Sequence, residues 1–266
     1  MGTFNKFSTL VAAPIVALGL SVAAPAKAVP VDAEILLLMD VSGSVSSTEF
    51  NLQRTGYANA FQSAAVHSAI ASTTNGVAVR LVQWSGATQQ AESIAWTHIF
   101  DVASSNAVGA AIAAMSRSFS GSTAIGAAIN NTFASIGDEV GGTANGFEIL
   151  RQVIDVSGDG TANDGIASVT GRNNALAAGV DVINGLVIGG SSGVLSHYQS
   201  DVIGGTNGNG SPAFALTAST FSDFETAITN KLSAEITGTG IPDPGMIAIF
   251  GLGLAGLAYT RRRKAA

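Results

Sequence analysis

The segment Asp40-Val41-Ser42-Gly43-Ser44 sets a carboxylate and two hydroxyls on alternate residues, one residue beyond the apolar run Ile35–Leu38. Alternation in an extended or curling backbone sends Asp40, Ser42 and Ser44 to one side, and Gly43 permits a tight bend. Two distant segments offer matching oxygens: Thr123 in Gly-Ser-Thr-Ala-Ile-Gly, and Asp159 in Ser-Gly-Asp-Gly. With no His or Cys among them, the set suits a hard cation, Mg²⁺ or Mn²⁺, better than zinc. Two carboxylates would balance a divalent charge, and neutral hydroxyls would leave the cation able to accept an outside anion at an open position. Taken alone, Asp40 to Ser44 also reads as ordinary turn chemistry ahead of a helix, because Ser46 and Glu49 have the spacing of a capping box.

Ligands so far apart need a framework to gather them. Ile35–Leu38 reads as a strand covered on both faces. Thr48–Ile70 carries Phe50, Tyr57, Phe61, Ala64 and Ala65 at helical spacing, which predicts one helix on the sheet. Val77–Trp84 is expected to be a strand near an edge, with Glu92–Ile99 folded back beside it. Helices follow at Ala103–Met115 and Ala124–Phe133. Phe147–Gly160 is the next strong strand and ends, like the first, in an aspartate at a Gly-rich turn. A helix over Gly165–Gly179 stops at Gly179 as its C-cap. Strands at Val180–Gly189 and Ala213–Ala218 and a closing helix at Phe221–Ile236 complete the order. Gly204–Pro212 is read as a surface loop. Strands alternating with helices predict an α/β fold, a doubly wound, mostly parallel sheet with helices on both faces. Ligands of such sheets bind outside the carboxyl ends of the strands, where Asp40 and Asp159 both fall.

Both ends of the chain look like processing signals. Residues 1–28 read as a secretory signal peptide cleaved after Ala28. Residues 29–236 form the folded domain, and 237–245 a linker ending in the Pro-Asp-Pro turn. Residues 246–266 join an apolar run, Met246–Tyr259, to the basic cluster Arg261–Lys264, which the positive-inside rule would hold on the cytoplasmic side. Between Val29 and Pro242 there are six basic side chains against seventeen acidic, a net charge of −11. So acidic a surface repels phosphate backbones, which argues against nucleic acid as a partner, and attracts divalent cations. With no cysteine, stability must come from one sizeable hydrophobic core.

The segments "DVSGSVS", "STAIG" and "SGDG" resemble the metal-ion-dependent adhesion site of von Willebrand factor type A domains. The resemblance implies that Asp40, Ser42, Ser44, Thr123 and Asp159 hold one divalent cation, directly or through water, in a von Willebrand factor A-like, Rossmann-type fold. The further stretches "FNLQRTGYANAF", "VQWSGA", "RQVIDVSGDGTAND", "INGLVI" and "DVIGG" resemble a bacterial family of secreted stand-alone A domains. The tail is similar to the PEP-CTERM sorting signal of Gram-negative bacteria, with Asp243 where that family usually has glutamate. It implies an inner-membrane-held precursor processed by an exosortase-type protease, then delivery to the cell surface or exterior; a plain, uncleaved C-terminal membrane anchor is the other reading of the same residues.

The expected function is therefore exported, metal-ion-dependent binding of a carboxylate on a protein or polysaccharide partner. The alternatives are a structural envelope or matrix component with a bracing metal, and a metal-assisted hydrolase. Catalysis is not expected: His67, His98 and His197 lie in no metalloprotease motif, and no serine sits in a G-x-S-x-G elbow. Asp155, inside an apolar strand, is read as a paired structural acid, with a supporting role at the metal as the other reading. Ser85 is placed at the rim of the site, and Asn163 and Asp164 are expected to cap the following helix.

Overall fold

The structure is a computed structural model that describes residue 2 and residues 27–240. Nearly all of the predicted signal peptide, and the predicted tail from Met246, lie outside the described residues. The elements, in chain order, are β1 (Val29–Val31), β2 (Ala33–Asp40), α1 (Ser47–Phe61), α2 (Ala64–Ala71), β3 (Val77–Trp84), β4 (Gln90–Ile99), α3 (Val102–Ala114) and α4 (Ile125–Thr132). They continue with β5 (Phe147–Ile149), β6 (Gln152–Gly158), α5 (Ser168–Ala178), β7 (Val182–Ile188), α6 (Ser192–His197), β8 (Gly204–Gly205), β9 (Ala215–Ala218) and α7 (Phe224–Thr237).

The main sheet runs β4-β3-β2-β6-β7-β8, with β9 also paired to β7. Its β3, β2, β6, β7 and β9 are parallel, while β4 and β8 pair antiparallel at the two sides. β2 lies in the middle, with Asp40 opposite Trp84 of β3 and Met39 opposite Ser157 of β6. Successive side chains of a strand point to opposite faces, which is why β2 is apolar without alternation. Ile35, Leu37 and Met39 join Tyr57, Phe61, Phe224 and Leu232 on one face. Leu36 and Leu38 join Ile125, Ile129 and Ile183 on the other. All five β2 side chains are fully buried, each contributing about 2 kcal/mol of hydrophobic stabilisation.

Two expected elements are divided. The single helix over Thr48–Ile70 breaks at Gln62 and Ser63, where the Ser63 hydroxyl accepts from Val66 N at 3.2 Å and starts α2. The strand over Phe147–Gly160 breaks at Leu150 and Arg151. Its first part, β5, pairs with β1 in a separate two-stranded sheet. Arg151 is turned onto the last turn of α7, donating from Nη1 to Glu235 O at 2.7 Å and from Nη2 to Ile236 O at 3.1 Å, where a cation meets the negative end of the helix. Among the described residues no helix is long and apolar enough to cross a membrane.

Candidate metal centre

The five residues proposed as ligands converge at the carboxyl ends of β2 and β6. Asp40 is the last residue of β2, and its Oδ1 accepts from Ser42 N at 2.7 Å, curling the chain into the first loop. Ser42 Oγ shares a hydrogen bond of 3.1 Å with Ser44 Oγ and accepts one of 3.2 Å from Thr123 Oγ1. Ser44 Oγ donates to Asp159 Oδ1 at 2.6 Å. Burial is graded across the group. Asp40, Ser42 and Thr123 are buried, Asp159 is half-buried and Ser44 is exposed, so one side of the cluster faces solvent. A groove lined by Glu49, Leu52, Ser191, Thr220 and Phe221 runs beside Asp159.

Residues outside this group hold the three loops together. Arg117 Nη2 donates to Val41 O at 2.9 Å and Ser42 O at 2.7 Å, clamping the first loop by its carbonyls. Gly43 N donates to Gly121 O at 2.7 Å, and a Cβ on Gly43 would meet that oxygen at 3.2 Å. Gly43 is thus favoured by close backbone approach, since its φ is not in the left-handed region. Ser85 is fully buried and does not line the rim. Its hydroxyl donates to Ser122 O at 2.9 Å and accepts from Gly121 N at 2.8 Å, fixing the loop that presents Thr123. Asn163 and Asp164 do not cap α5, whose N-cap position is Ala167. Asn163 Oδ1 instead accepts from Thr123 N at 2.9 Å while Asn163 N donates to Thr123 O, and Asp164 Oδ2 accepts from Ala87 N at 3.0 Å. Side chains drawn to neighbouring loops are lost to the helix that follows.

Burial dominates the electrostatics. It pushes the Asp40 carboxyl up to about 7, against the lowering effect of the Ser42 hydrogen bonds and with a smaller upward push from Asp159. Asp159 is also raised, first by burial. Asp40 Oδ2 is buried with no hydrogen-bond partner among the described residues. A Cβ on Gly158 would stand 2.7 Å from it, so only glycine leaves that oxygen its space. A buried carboxylate oxygen with no partner is costly, and a divalent cation is the kind of group that satisfies it. Among the described residues no group of three or more His, Cys, Asp or Glu side chains is placed to hold a metal. The donor set is two carboxylates with three hydroxyls, which fits a hard oxygen-seeking ion.

Asp155 is an ion-paired acid. Lys231 Nζ of α7 lies 2.8 Å from Asp155 Oδ1 and 2.5 Å from Glu235 Oε1, with all three side chains fully buried. Asn184 Nδ2 adds a 3.0 Å bond to Glu235. Above this cluster, Tyr57 OH and Ser157 Oγ share a bond of 3.1 Å. Of the histidines, His67 contacts Phe61 O and Asn106, His98 contacts Asn75 O, and His197 contacts Ser168 and Asp201. None touches the five proposed ligands.

Residues 30–240 match the family model described as "Protein of unknown function (DUF1194)". The chain belongs to this family. No curated protein matches the DUF1194 chain. Among solved structures it is similar to proximal thread matrix protein 1 from the mussel byssus with a zinc-occupied MIDAS motif, at TM-score 0.56 and 19% identity over 80% of this chain and 50% of that one. It is similar to the pilus adhesin SpaC from Lactobacillus rhamnosus GG, at TM-score 0.54 and 14% identity over 77% and 31%. A von Willebrand factor type A structure from Catenulispora acidiphila follows, at 0.51 and 14% over 78% and 43%. The chain thus spans half or less of the length of these structures. The DUF1194 domain has the von Willebrand factor A-like α/β fold.

Proposed function

We propose that this DUF1194 domain is a metal-ion-dependent binding module that holds Mg²⁺ or Mn²⁺ through Asp40, Ser42, Ser44, Thr123 and Asp159 and recognises a carboxylate on a protein or polysaccharide. The observation that carries this reading is the gathering of those five residues by hydrogen bonds at the carboxyl ends of β2 and β6, where the buried Asp40 Oδ2 has no hydrogen-bond partner among the described residues. When bound, the cation supplies an open position for an anionic oxygen. The protein's own part is to hold the donors. Arg117, Ser85 and Asn163 fix the loops, and the exposed Ser44 and half-buried Asp159 form the edge a partner would meet. A similar fold in which a MIDAS motif is occupied by zinc supports divalent-ion binding in general, while the all-oxygen donors here favour the harder ions.

Export, retention of a precursor in the inner membrane and removal of the tail by an exosortase-type protease belong to the same proposal, supported by the sequence at the two ends. The test is a pull-down from the producing cell's envelope protein and polysaccharide fractions, with Mg²⁺ or EDTA, alongside Asp40→Ala. Capture that needs the metal and is lost in the variant supports the binding module. Capture unaffected by EDTA, with only the melting temperature lowered, supports the structural-component reading in its place.

A further inference from the structure

Away from the metal centre, three side chains that contact none of its ligands line up in a different chemistry. Ser168 opens α5, His197 closes α6, and Asp201 lies in the π-helical turn Tyr198–Val202 that continues from it. Ser168 Oγ is 3.1 Å from His197 Nε2, and His197 Nδ1 is 3.1 Å from Asp201 Oδ2. A carboxylate at Nδ1 holds the ring proton there and leaves Nε2 to accept from the serine hydroxyl. We propose that Ser168, His197 and Asp201 form a Ser–His–Asp nucleophilic triad that hydrolyses esters of short acyl groups.

The surroundings supply the other requirements of acyl transfer. Ser168 stands at the first position of an 11-residue helix whose N-cap, Ala167, offers no side-chain hydrogen bond. The first N–H groups of a helix have no intrahelical acceptor, so those of Ser168 and Val169, at the positive end of α5, are placed to stabilise an oxyanion formed beside the serine. The turn carrying Asp201 closes with Ile203 N donating to Tyr198 O at 2.9 Å, an i to i+5 bond of a kind concentrated at functional sites. Burial restricts the substrate class. Ser168 is 2% exposed, whereas the His197 and Asp201 side chains are 19% and 42% exposed, which limits the acyl group to a small one such as acetyl.

The chemistry closes without a cofactor. Ser168 Oγ bonds to the ester carbonyl carbon as its proton passes to His197 Nε2, and Asp201 stabilises the imidazolium. The proton then leaves with the alcohol as the ester C–O bond breaks, giving an acyl-serine. Water, deprotonated by the same imidazole, attacks the acyl carbon, and the proton returns to Ser168 as the carboxylic acid departs.

The test uses the full-length chain in EDTA, so that it is independent of the metal centre, with a small alkyl fluorophosphonate and p-nitrophenyl acetate as probes. One adduct is expected, on Ser168, together with steady release of p-nitrophenol. Ser168→Ala should lose both while keeping a cooperative melt. Asp201→Asn, at a partly exposed position that should not disturb folding, should slow hydrolysis on the order of 10⁴-fold. The absence of an adduct and of hydrolysis in the wild type overturns the proposal. So does labelling and turnover undiminished in the variants, which would place the reactive serine elsewhere.

Discussion

Replacing Asp40 by Asn should make the metal-free protein more stable and at the same time abolish its response to Mg²⁺. The fold raises the Asp40 carboxyl from 3.8 to about 7 because burial disfavours its charged form. Each tenfold change in proton affinity is worth about 1.4 kcal/mol, so holding Asp40 ionised without a cation costs on the order of 4 kcal/mol. The folded state binds this proton more tightly than the unfolded chain does. Asp40's contribution to stability is therefore fully present below pH 3.8 and is lost as pH rises through about 7. Asn has no charge to bury, and its Oδ1 can still accept the 2.7 Å bond from Ser42 N. In EDTA at pH 8 the variant should melt about 10 °C above the wild type, given 2–4 °C per kcal/mol for a domain of this size, and the difference should close by pH 4. Saturating Mg²⁺ should raise the wild type, by about 2.7 kcal/mol at one hundred times the dissociation constant, and leave the variant unmoved. Scanning calorimetry with and without EDTA reads all of this. A variant that melts lower than wild type at pH 8 in EDTA, or that gains equally from Mg²⁺, would refute the argument.

Thr123→Ala removes one donor and one 3.2 Å hydrogen bond to Ser42. It should cost about 1 kcal/mol or less in chemical denaturation while weakening Mg²⁺ binding by calorimetry at least about tenfold. Lys231→Met leaves Asp155 and Glu235 buried without their cation and should cost about 3–5 kcal/mol. Adding Asp155→Asn and Glu235→Gln should recover much of that loss, and a triple variant no better than the single one would show that packing, not charge, was lost. Glu34 is raised to about 8 by burial, helped by Glu139 and Asp138 and opposed by its bond from Asn145. Its contribution is present below pH 4.5 and lost as pH rises through about 8. Glu34→Gln should therefore flatten the alkaline limb of the stability profile, gaining on the order of 2 kcal/mol at pH 9 after allowance for solvent screening.

The central strand and the first loop were legible because the physics is local: five consecutive large apolar residues, Ile35–Met39, ending in Asp40 mean a strand buried on both faces, and alternation then orders Ser42 and Ser44. Thr123 and Asp159 were read as matching oxygens from their own segments, and the resemblance of three short segments then joined them to the first loop; the structure brings all five residues together. What holds them there was not legible. Arg117 clamps carbonyls of residues 41 and 42, and Asn163 grips the backbone of Thr123, through contacts between loops far apart in sequence. Helix-capping rules, which look only to the following residues, sent Asn163 to the wrong partner. Two breaks were missed for opposite reasons. Gln62 and Ser63 interrupt a sequence whose small, helix-compatible residues resume at once. Leu150 continues the apolar run, but it is 78% exposed because Arg151 leaves the sheet to cap α7. An arginine within an apolar strand pattern was the available signal. The Ser168, His197 and Asp201 alignment was invisible for the same reason as the clamps, since a turn of α6 and the start of α5 meet only in the fold.

The most direct test of the metal centre is a crystal of the protein soaked in Mn²⁺, with anomalous scattering used to place the ion. One strong peak is expected at the carboxyl ends of β2 and β6, within coordinating distance, directly or through water, of Asp40, Ser42, Ser44, Thr123 and Asp159. A saturated soak that leaves no peak there, or puts the ion among other side chains, would contradict the account.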